Sequence, residues 1–342
     1  MLFRSPAIEL VASDPELWIY NPALLGAPGL RRSRLVWRLE VTRQDQGPLR
    51  ELVLIDAELG HVVLRFNQIH AARNRATYTA NNGGTLPGEL VCTEANPSCS
   101  GGDAHAVAAH RYAGETYDFY LSRFGRDSWD GAGAEIRSTV HYGSGYANAF
   151  WNGTQMVYGD AQNFPMADDV VAHEVTHAIT SSESMLFYAY QSGAINESLS
   201  DVFGELLDLT NGSGTDTADV RWHIGEDLAL GGSGAFRSMA HPPAFDQPDR
   251  MTSSFYTADT NEQDRGGVHT NSGVNNKAAF LLVDGGTFNG RSVSPLGITK
   301  TARLYYEVQT NLLTSAADYL DLSSALQQAC IQDRKSTRLN SS

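Results

Sequence analysis

Two histidines one helical turn apart, with a glutamate directly after the first, constrain this chain more than any other feature. His173, Glu174 and His177 lie in the otherwise apolar segment VAHEVTHAIT, residues 171–180. Residues i and i+4 share one face of an α-helix, so both imidazoles can reach one ion at roughly 2.0–2.1 Å. Glu174 flanks that ion without binding it, the arrangement in which a glutamate takes a proton from metal-bound water. An amphipathic helix with chance histidines is the alternative.

The origin of a third ligand decides what kind of metal site this is. A motif that continues as HExxHxxGxxH fails here, because its last two positions carry Thr180 and Glu183. The segment 193–209, GAINESLSDVFGELLDL, has helical spacing and places Glu197 and Asp201 one turn apart. Glu197 can complete a His-His-Glu site that leaves a fourth position for water. Asp201 can accept a hydrogen bond from a ligand imidazole. An exposed acidic face is the alternative.

Charge and composition argue against two classes of partner. The first 77 residues carry 10 Lys or Arg and 8 Asp or Glu, a net charge of +2, so the remainder carries −16 of the total of −14. An acidic body argues against nucleic acid, because phosphate contacts need a basic face. No apolar run approaches the roughly 18 residues of a membrane span. Cys92 and Cys99 enclose a short loop, and their spacing is compatible both with a disulfide and with two free thiols.

The pattern of apolar residues changes along the chain. Residues 33–43 and 51–66 alternate apolar and polar positions and predict strands, with 57–60 as a turn. The polar, Gly- and Asn-rich stretch 67–88 predicts a domain boundary. Residues 85–163 are rich in Gly, Tyr and Trp and predict twisted strands and loops. Helical spacing then predicts helices over 168–182, 194–210, 272–283 and within 299–330.

Four separated segments together resemble the thermolysin-like neutral metallopeptidases. In chain order they are NAFWNGTQMVYGD (148–160), HEVTHAIT (173–180), GAINESLSDVFG (193–204) and GGVHTNSGVNNKAAF (266–280). The resemblance extends from about 81 to 332. It implies an α+β fold of two lobes, a β-rich N-terminal lobe and an α-helical C-terminal lobe, with a zinc site between them.

The resemblance also implies a role for each group around the metal. The zinc ligands would be His173, His177 and Glu197, with Asp201 beside them. Glu174 would activate the water that attacks the scissile carbonyl. Tyr188 and His269 would donate hydrogen bonds to the oxyanion that develops, and Asp264 would orient His269.

Further residues are implied for the substrate. Asn148 and Ala149 would pair with the peptide backbone as an added strand does. Arg237 would hold a substrate carbonyl. An apolar pocket for the side chain after the cut would be lined by Phe164, Met166, Val170 and Phe236.

A double calcium site of the family is only partly kept. Asp169, Asp208 and Glu226 match three of its positions, whereas two others carry Arg221 and His223. Calcium needs six to eight oxygen ligands, and a guanidinium cannot bind a cation. This pattern predicts at most one calcium ion, with Arg221 paired to Asp208 or Glu226. An Arg221 that points to solvent is the alternative.

The N-terminal segment resembles the C-terminal part of the family's propeptide, a folding aid and intramolecular inhibitor that self-cleavage removes. The expected domains are a small α+β partial propeptide domain (1–80), the β-rich catalytic lobe (81–167) and the helical lobe (168–332). Residues 333–342 are expected to be a non-native tail. The first 20 residues lack the pattern of a signal peptide, so either the protein is cytosolic or its start is incomplete. Because the family normally carries a signal peptide and more propeptide upstream, the resemblance implies a truncated start.

The expected function is a secreted, monomeric zinc endopeptidase made as a proenzyme. It would hydrolyse peptide bonds with Glu-activated, zinc-bound water and prefer an apolar residue after the cut. Its partners would be peptide or protein substrates and its own propeptide, with no nucleic acid and no membrane. A catalytically silent binding protein would lack a ligand or the base, yet all are present. A zinc enzyme for other substrates is disfavoured by NAFWNG, which suits an extended peptide backbone.

Overall fold

The chain divides into two compact units, residues 1–72 and 73–342. The computed structural model describes residues 10–25, 32–43, 50–68, 72–215, 217–228, 230 and 234–339. The division lies at 72/73 and not at the predicted 80. Residues 75–79 form a strand that pairs with two strands of the larger unit, so the segment 73–80 belongs to that unit.

The smaller unit is built on an antiparallel sheet. Its strands are β1 (Leu10–Ala12), β2 (Glu16–Tyr20), β3 (Arg34–Arg43), β4 (Arg50–Asp56) and β5 (Val62–Asn67). The order is β1-β3-β4-β5, and β2 also pairs with β3. Tyr20, Val36 and Leu54 form a small core on this sheet. The strands predicted over 33–43 and 51–66, and the turn at 57–60, are therefore confirmed. Besides the strands, the described residues of this unit contain one short 3-10 helix, Pro22–Leu25, and no α-helix.

The first half of the larger unit contains a mixed sheet of five strands. They are β6 (Arg75–Thr79), β7 (Glu89–Thr93), β8 (Ile136–Val140), β9 (Ala149–Trp151) and β10 (Met156–Tyr158). The order is β7-β6-β8-β10-β9, so β9 lies at one edge. The pairs β6–β8 and β8–β10 are parallel and the other two are antiparallel. A disulfide between Cys92 and Cys99 closes the loop after β7, which decides between the two options for these cysteines.

A long helix, α1 (Ala104–Phe124), occupies a region predicted as strands and loops, and that prediction is wrong. Its buried residues include Ala106, Ala109, Ala113 and Tyr117, spaced three or four positions apart as a helical face requires. Most of this face consists of small residues, which contrast little in hydrophobicity with their neighbours. The helix begins after Asp103, whose side chain accepts a hydrogen bond from the Ala106 amide.

The second half of the larger unit is helical. Its helices are α2 (Asp168–Ser182), α3 (Tyr190–Asn211), α4 (Asp264–Asn271), α5 (Gly273–Asp284), α6 (Ile298–Glu307) and α7 (Tyr319–Leu339). Two hairpins join them: β11 (His223–Ile224) with β12 (Arg237–Ser238), and β13 (Gly286–Phe288) with β14 (Arg291–Val293). The helices predicted over 168–182, 194–210 and 272–283 are confirmed. A π-helical turn, Val308–Leu312, interrupts the predicted region 299–330, and α7 extends into the segment predicted as a non-native tail.

Helices α2 and α3 pack closely against each other in the core. Almost all of α2 is buried, and α3 is buried continuously from Ser192 to Asp208. A Cβ at Gly204 of α3 would lie 2.7 Å from the carbonyl oxygen of Asp169 on α2, so only glycine permits this approach. The close packing brings side chains of the two helices to a shared site. Among the helices that the structure describes, none is both long and apolar enough to cross a bilayer.

Candidate active site

Three side chains from α2 and α3 converge with the spacing of a metal site. The Nε2 atoms of His173 and His177 are 3.0 Å apart. Glu197 Oε2 lies 3.5 Å from His173 Nε2, and Glu197 Oε1 lies 3.3 Å from His177 Nε2. Tetrahedral bonds of 2.0–2.1 Å place neighbouring ligand atoms roughly 3.3–3.4 Å apart. Glu197 Oε2 is buried and has no hydrogen-bond partner among the described residues. The three residues therefore fit a zinc ion.

The other nitrogen of each imidazole is held by a hydrogen bond. His173 Nδ1 lies 2.9 Å from Asp201 Oδ1, and His177 Nδ1 lies 2.8 Å from Asn196 Oδ1. Because these oxygens accept the ring protons, both Nε2 atoms are left to face the ion. Sequence reasoning proposed Asp201 but missed Asn196, for which its place directly before Glu197 was the only signal.

Asp201 is itself held by two donors. Arg237 Nη2 donates to Asp201 Oδ1 at 2.5 Å, and Asn276 Nδ2 donates to Oδ2 at 2.7 Å. Burial opposes the charge on Asp201, but Arg237 and His173 outweigh that effect and lower the pKa of this carboxyl. Arg237, proposed for a substrate carbonyl, is thus committed to Asp201 by at least one of its nitrogens.

Glu174 lies in a cleft beside the three ligands. The cleft has a volume of about 770 Å³, and Glu174, His177, Glu197, Asn148 and Ala149 are among the residues that line it. Glu174 Oε2 is buried without a hydrogen-bond partner among the described residues. Burial raises the pKa of Glu174, while His173 and His177 act in the opposite direction. This oxygen is therefore available to a group that enters the cleft, while the Trp151 backbone donates a hydrogen bond to the carboxylate.

Tyr188, His269 and Asp264 form a hydrogen-bonded chain at the same cleft. The Tyr188 hydroxyl donates to Glu197 and lies 3.0 Å from His269 Nε2. His269 Nδ1 lies 2.6 Å from Asp264 Oδ1, and the His269 amide donates to Asp264 Oδ2 at 2.8 Å. Burial opposes the charged imidazole, but Glu197 and Asp264 outweigh it and raise the pKa of His269.

A left-handed backbone turn brings Asp264 back to His269. Asp264, Arg265, Gly266 and Gly267 all have positive φ at the start of α4. A Cβ at Gly266 would lie 2.2 Å from the ring of Tyr190, so this position also needs glycine for space. The GG pair of the motif GGVHT therefore positions the histidine that follows it.

The four residues predicted for the apolar pocket are not among those that line the cleft. Phe164 and Val170 are buried in the core between α1 and the sheet, and Met166 and Phe236 pack against that core. Apolar walls of the cleft are instead formed by Phe150, Trp151 and Leu186, which sequence reasoning missed. Val170 lies three residues before His173 on α2 and belongs to this core.

The predicted calcium carboxylates Asp169, Asp208 and Glu226 lie close enough to interact electrostatically, in an acidic region at the start of α2. Asp169 Oδ2 accepts from the Gly225 amide at 2.6 Å. Asp208 Oδ1 and both oxygens of Glu226 are buried and lack a hydrogen-bond partner among the described residues. Burial first, and then neighbouring carboxylates, raise the pKa of Asp169 to about 7, of Asp208 to about 12 and of Glu226 to about 10. This donor set fits a hard cation such as calcium.

The predicted ion pair of Arg221 with Asp208 or Glu226 is wrong. Arg221 Nη2 binds Asp284 Oδ1 at 3.1 Å, at the C-terminal end of α5. The neighbouring Trp222 donates its Nε1–H to the same carboxylate at 2.7 Å, which fixes Asp284 next to Arg221. Asp168, which was not predicted from the sequence, lies near Gly214 together with Asp208 and Asp227.

Two family models together match most of this chain. The family model described as "Thermolysin metallopeptidase, catalytic domain" matches residues 58–181, and "Thermolysin metallopeptidase, alpha-helical domain" matches 184–340. The chain is 39% identical to bacillolysin of Brevibacillus brevis over 337 residues, which covers 87% of this chain and 60% of that protein. It is 44% identical to thermolysin of Alicyclobacillus acidocaldarius subsp. acidocaldarius over 263 residues, 75% of this chain and 46% of that protein.

A solved structure is also similar. The precursor of protealysin, a metalloproteinase from Serratia proteamaculans, matches with a TM-score of 0.65 at 36% identity, covering 77% of this chain and 82% of that chain. The chain spans between 44% and 60% of the length of the curated relatives it matches.

Proposed function

The chain belongs to the thermolysin family of metallopeptidases, and we propose that it is a zinc endopeptidase that cleaves extended polypeptides. Its β-rich and helical lobes form the α+β fold expected from the resemblance. One observation carries the proposal. His173, His177 and Glu197 have the ligand spacing of a tetrahedral site, and they converge beside Glu174, whose Oε2 has no hydrogen-bond partner among the described residues.

Zinc is the metal that this donor set supports. Two imidazole nitrogens and one carboxylate leave the fourth tetrahedral position open, as in zinc sites that act in catalysis. When bound, zinc supplies Lewis acidity for the carbonyl group and lowers the pKa of water. Asp201 and Asn196 keep both ligand imidazoles in the orientation that binding requires.

Glu174 acts as the general base in this proposal. Its buried carboxylate takes a proton from the attacking water and returns it to the amine that leaves. Tyr188 and His269 then donate hydrogen bonds to the oxyanion, which is where the charge develops during the reaction. Asp264 accepts from His269 Nδ1 and so leaves Nε2 facing the cleft.

The substrate is an extended peptide that lies along β9. Among the described strands, β9 pairs with β10 alone, so its outer edge can accept another strand by backbone hydrogen bonds. Asn148 and Ala149 line the cleft at that edge. The apolar walls formed by Phe150, Trp151 and Leu186 support a preference for an apolar side chain next to the cut.

The smaller unit serves as a propeptide in this proposal, and the mature enzyme acts as a secreted monomer. The similarity to a protease precursor supports the first point, and the Cys92–Cys99 disulfide supports an oxidising, extracellular compartment. We also propose one calcium ion at Asp169, Asp208 and Glu226, because Asp208 Oδ1 and both oxygens of Glu226 are buried without a hydrogen-bond partner among the described residues.

The decisive experiment compares the parent protein with Glu174→Gln. The variant should keep one zinc ion at the catalytic site, because Glu174 is not a ligand. It should lose roughly 10²–10⁴-fold in casein hydrolysis, the usual contribution of a general base. A chelator should abolish parent activity and added zinc should restore it. Glu262→Gln, at an exposed position outside the cleft, is the matched control. Full activity in Glu174→Gln, or loss of its zinc, would contradict the assignment.

The same two purified proteins also test self-cleavage. The parent chain should cut itself within about residues 73–85 but outside the paired strand β6, whereas Glu174→Gln should stay intact. Equal processing of the two purified proteins would show that another protease removes the N-terminal unit.

A further inference from the structure

A second cluster of histidine and carboxylate lies in the β-rich half of the larger unit. It joins His105 in the first turn of α1, His141 directly after β8 and Asp160 shortly after β10. Asp160 Oδ1 lies 2.7 Å from His141 Nδ1 and 3.7 Å from His105 Nδ1. The ligand atoms that the three residues can offer all lie within 4.8 Å of one another.

Asp103 holds His141 from the opposite side. Its Oδ2 lies 2.8 Å from His141 Nε2, while its Oδ1 accepts the Ala106 amide and caps α1. A ring proton on Nε2 therefore has a fixed acceptor, and Nδ1 is turned toward Asp160 and His105. A carboxylate on the remote nitrogen is how proteins orient a metal-binding imidazole. Asp201 makes the same contact to His173 in the active site.

Hydrogen bonding alone does not account for this cluster. Asp160, His141 and Asp103 form a continuous chain that could exist simply to join three segments. That explanation leaves out His105. Its Nδ1 is buried, points toward Asp160 from beyond hydrogen-bond distance and has no hydrogen-bond partner among the described residues. The ring of His105 also stacks on that of His141, with 5.0 Å between centroids, although two imidazoles repel each other when both are charged.

We propose that His105, His141 and Asp160 bind a second transition-metal ion, with zinc as the first choice. Two imidazoles and one carboxylate suit zinc, copper or nickel, whereas calcium and magnesium prefer oxygen ligands alone. A solvent-open cavity of about 650 Å³ lies beside the cluster, and its lining includes His141 and Asp103. The separations of 2.7 and 3.7 Å lie on either side of the roughly 3.3–3.4 Å of a tetrahedral site. The side chains must therefore adjust by a few tenths of an ångström, and binding is weaker than in the active site.

An ion at this place would brace the segment behind the substrate edge. The amide of Gly159, next to Asp160, donates to the carbonyl of Asn148 at 3.0 Å. On the other side of Asp160, the Ala161 amide donates to the carbonyl of Tyr146 at 3.3 Å. The ion would tie this segment to the start of α1 and the end of β8, and so stabilise the folded protein.

Metal counting tests the proposal. The full chain carrying Glu174→Gln, which prevents self-digestion, is dialysed against buffered Zn²⁺ and the bound zinc is measured. We expect two ions per chain in this protein, one after adding His105→Ala, one after adding His177→Ala and none in the combination. His241→Ala, at an exposed histidine outside both clusters, should keep two. Two ions in the His105→Ala protein, or only one in the parent that His105→Ala does not remove, would overturn the second site.

Thermal unfolding gives an independent measure. Zn²⁺ added after the active site is saturated should raise the melting temperature of the parent by a few degrees, but not that of His105→Ala. Equal shifts in the two proteins would speak against the site. If His105→Ala fails to fold, anomalous diffraction at the zinc edge from zinc-soaked parent crystals decides. A peak between His105, His141 and Asp160 would support the proposal, and a peak at the active site alone would refute it.

Discussion

The two clusters of histidine and carboxylate contain the same donor types on very different supports. In the active site the ligands stand on two packed helices, and the side chains of His173, His177 and Glu197 are 9%, 11% and 1% exposed. In the second cluster the ligands come from a helix start and two strand ends. There the side chains of His105, His141 and Asp160 are 18%, 20% and 26% exposed. Helix packing, and not ligand chemistry, therefore separates a preorganised metal site from one whose side chains must move to bind an ion.

The surroundings of the clusters differ in the same way. Both ligand imidazoles of the active site have a hydrogen-bond acceptor on their far nitrogen, and Asp201 is fixed in turn by Arg237 and Asn276. In the second cluster the acceptor on the far nitrogen of His141 is Asp103, whose side chain is 41% exposed. Water competes for an exposed carboxylate, so its orienting effect is weaker.

The largest expected difference is in catalysis. His177→Ala should lower kcat/KM for a peptide substrate by at least about 10³-fold, because metal stabilisation is worth several kcal/mol and 1.36 kcal/mol is tenfold in rate. His141→Ala removes the corresponding group from the second cluster and should change kcat/KM only a few-fold. Similar losses in the two variants, measured on folded protein, would show that the second cluster takes part in the chemistry.

A third imidazole at the active site offers a sharper test. His269→Ala should lower kcat by about 10²–10³-fold with little change in KM, since a donor to the oxyanion acts mainly in the transition state. Tyr188→Phe should behave alike. Both variants should keep their zinc, unlike His177→Ala, because neither side chain is a ligand. Loss of zinc from His269→Ala, or an effect on KM alone, would contradict the proposed role.

The two orienting aspartates should have unequal effects on metal affinity. Asp201→Asn should weaken zinc binding at the active site by about 10–100-fold. Asp103→Asn should weaken the second site only a few-fold, and asparagine still caps α1 at this position. Competition with a chelator measures both constants. A larger effect of Asp103→Asn would show that the second site depends more on its orienting aspartate than the active site does, contrary to this proposal. The melting temperature of Asp201→Asn shows whether removing the ion-pair partner of Arg237 has disturbed folding.

The smallest expected effect concerns the acidic region near α2. Arg221→Ala should cost about 1 kcal/mol of unfolding free energy or less, because its ion pair with Asp284 is partly exposed. Calcium binding should be unchanged, whereas Asp208→Asn should weaken it. Calcium titration monitored by thermal unfolding separates the two variants. A change in calcium affinity for Arg221→Ala would show that Arg221 interacts with the calcium site, contrary to the structure.

Much of the helical half was predictable because its signals are local. The helices around 168–182 and 194–210 follow from apolar spacing, and each carries its metal-site residues one turn apart. The helix α1 was missed because its buried face is built from alanine and tyrosine, with little contrast to its polar side. The apolar pocket of Phe164, Met166, Val170 and Phe236 stays a prediction, because these residues lie in or against a core cluster and outside the lining of the cleft. Phe164 and Val170 are buried in the core between α1 and the sheet. Sequence spacing cannot distinguish an apolar residue of the core from one that lines a substrate pocket.

The sequence by itself determined the pairs His173–His177 and Glu197–Asp201, because 3.6 residues per turn fix their geometry wherever the helix lies. It also determined that a glutamate stands beside the first histidine. Only the tertiary structure decided which side chains meet across the chain: Asn196 with His177, Arg221 with Asp284, and positions 105, 141 and 160 with one another. Such meetings depend on how strands and helices pack over many residues, and that packing is a property of the whole core and not of any one segment.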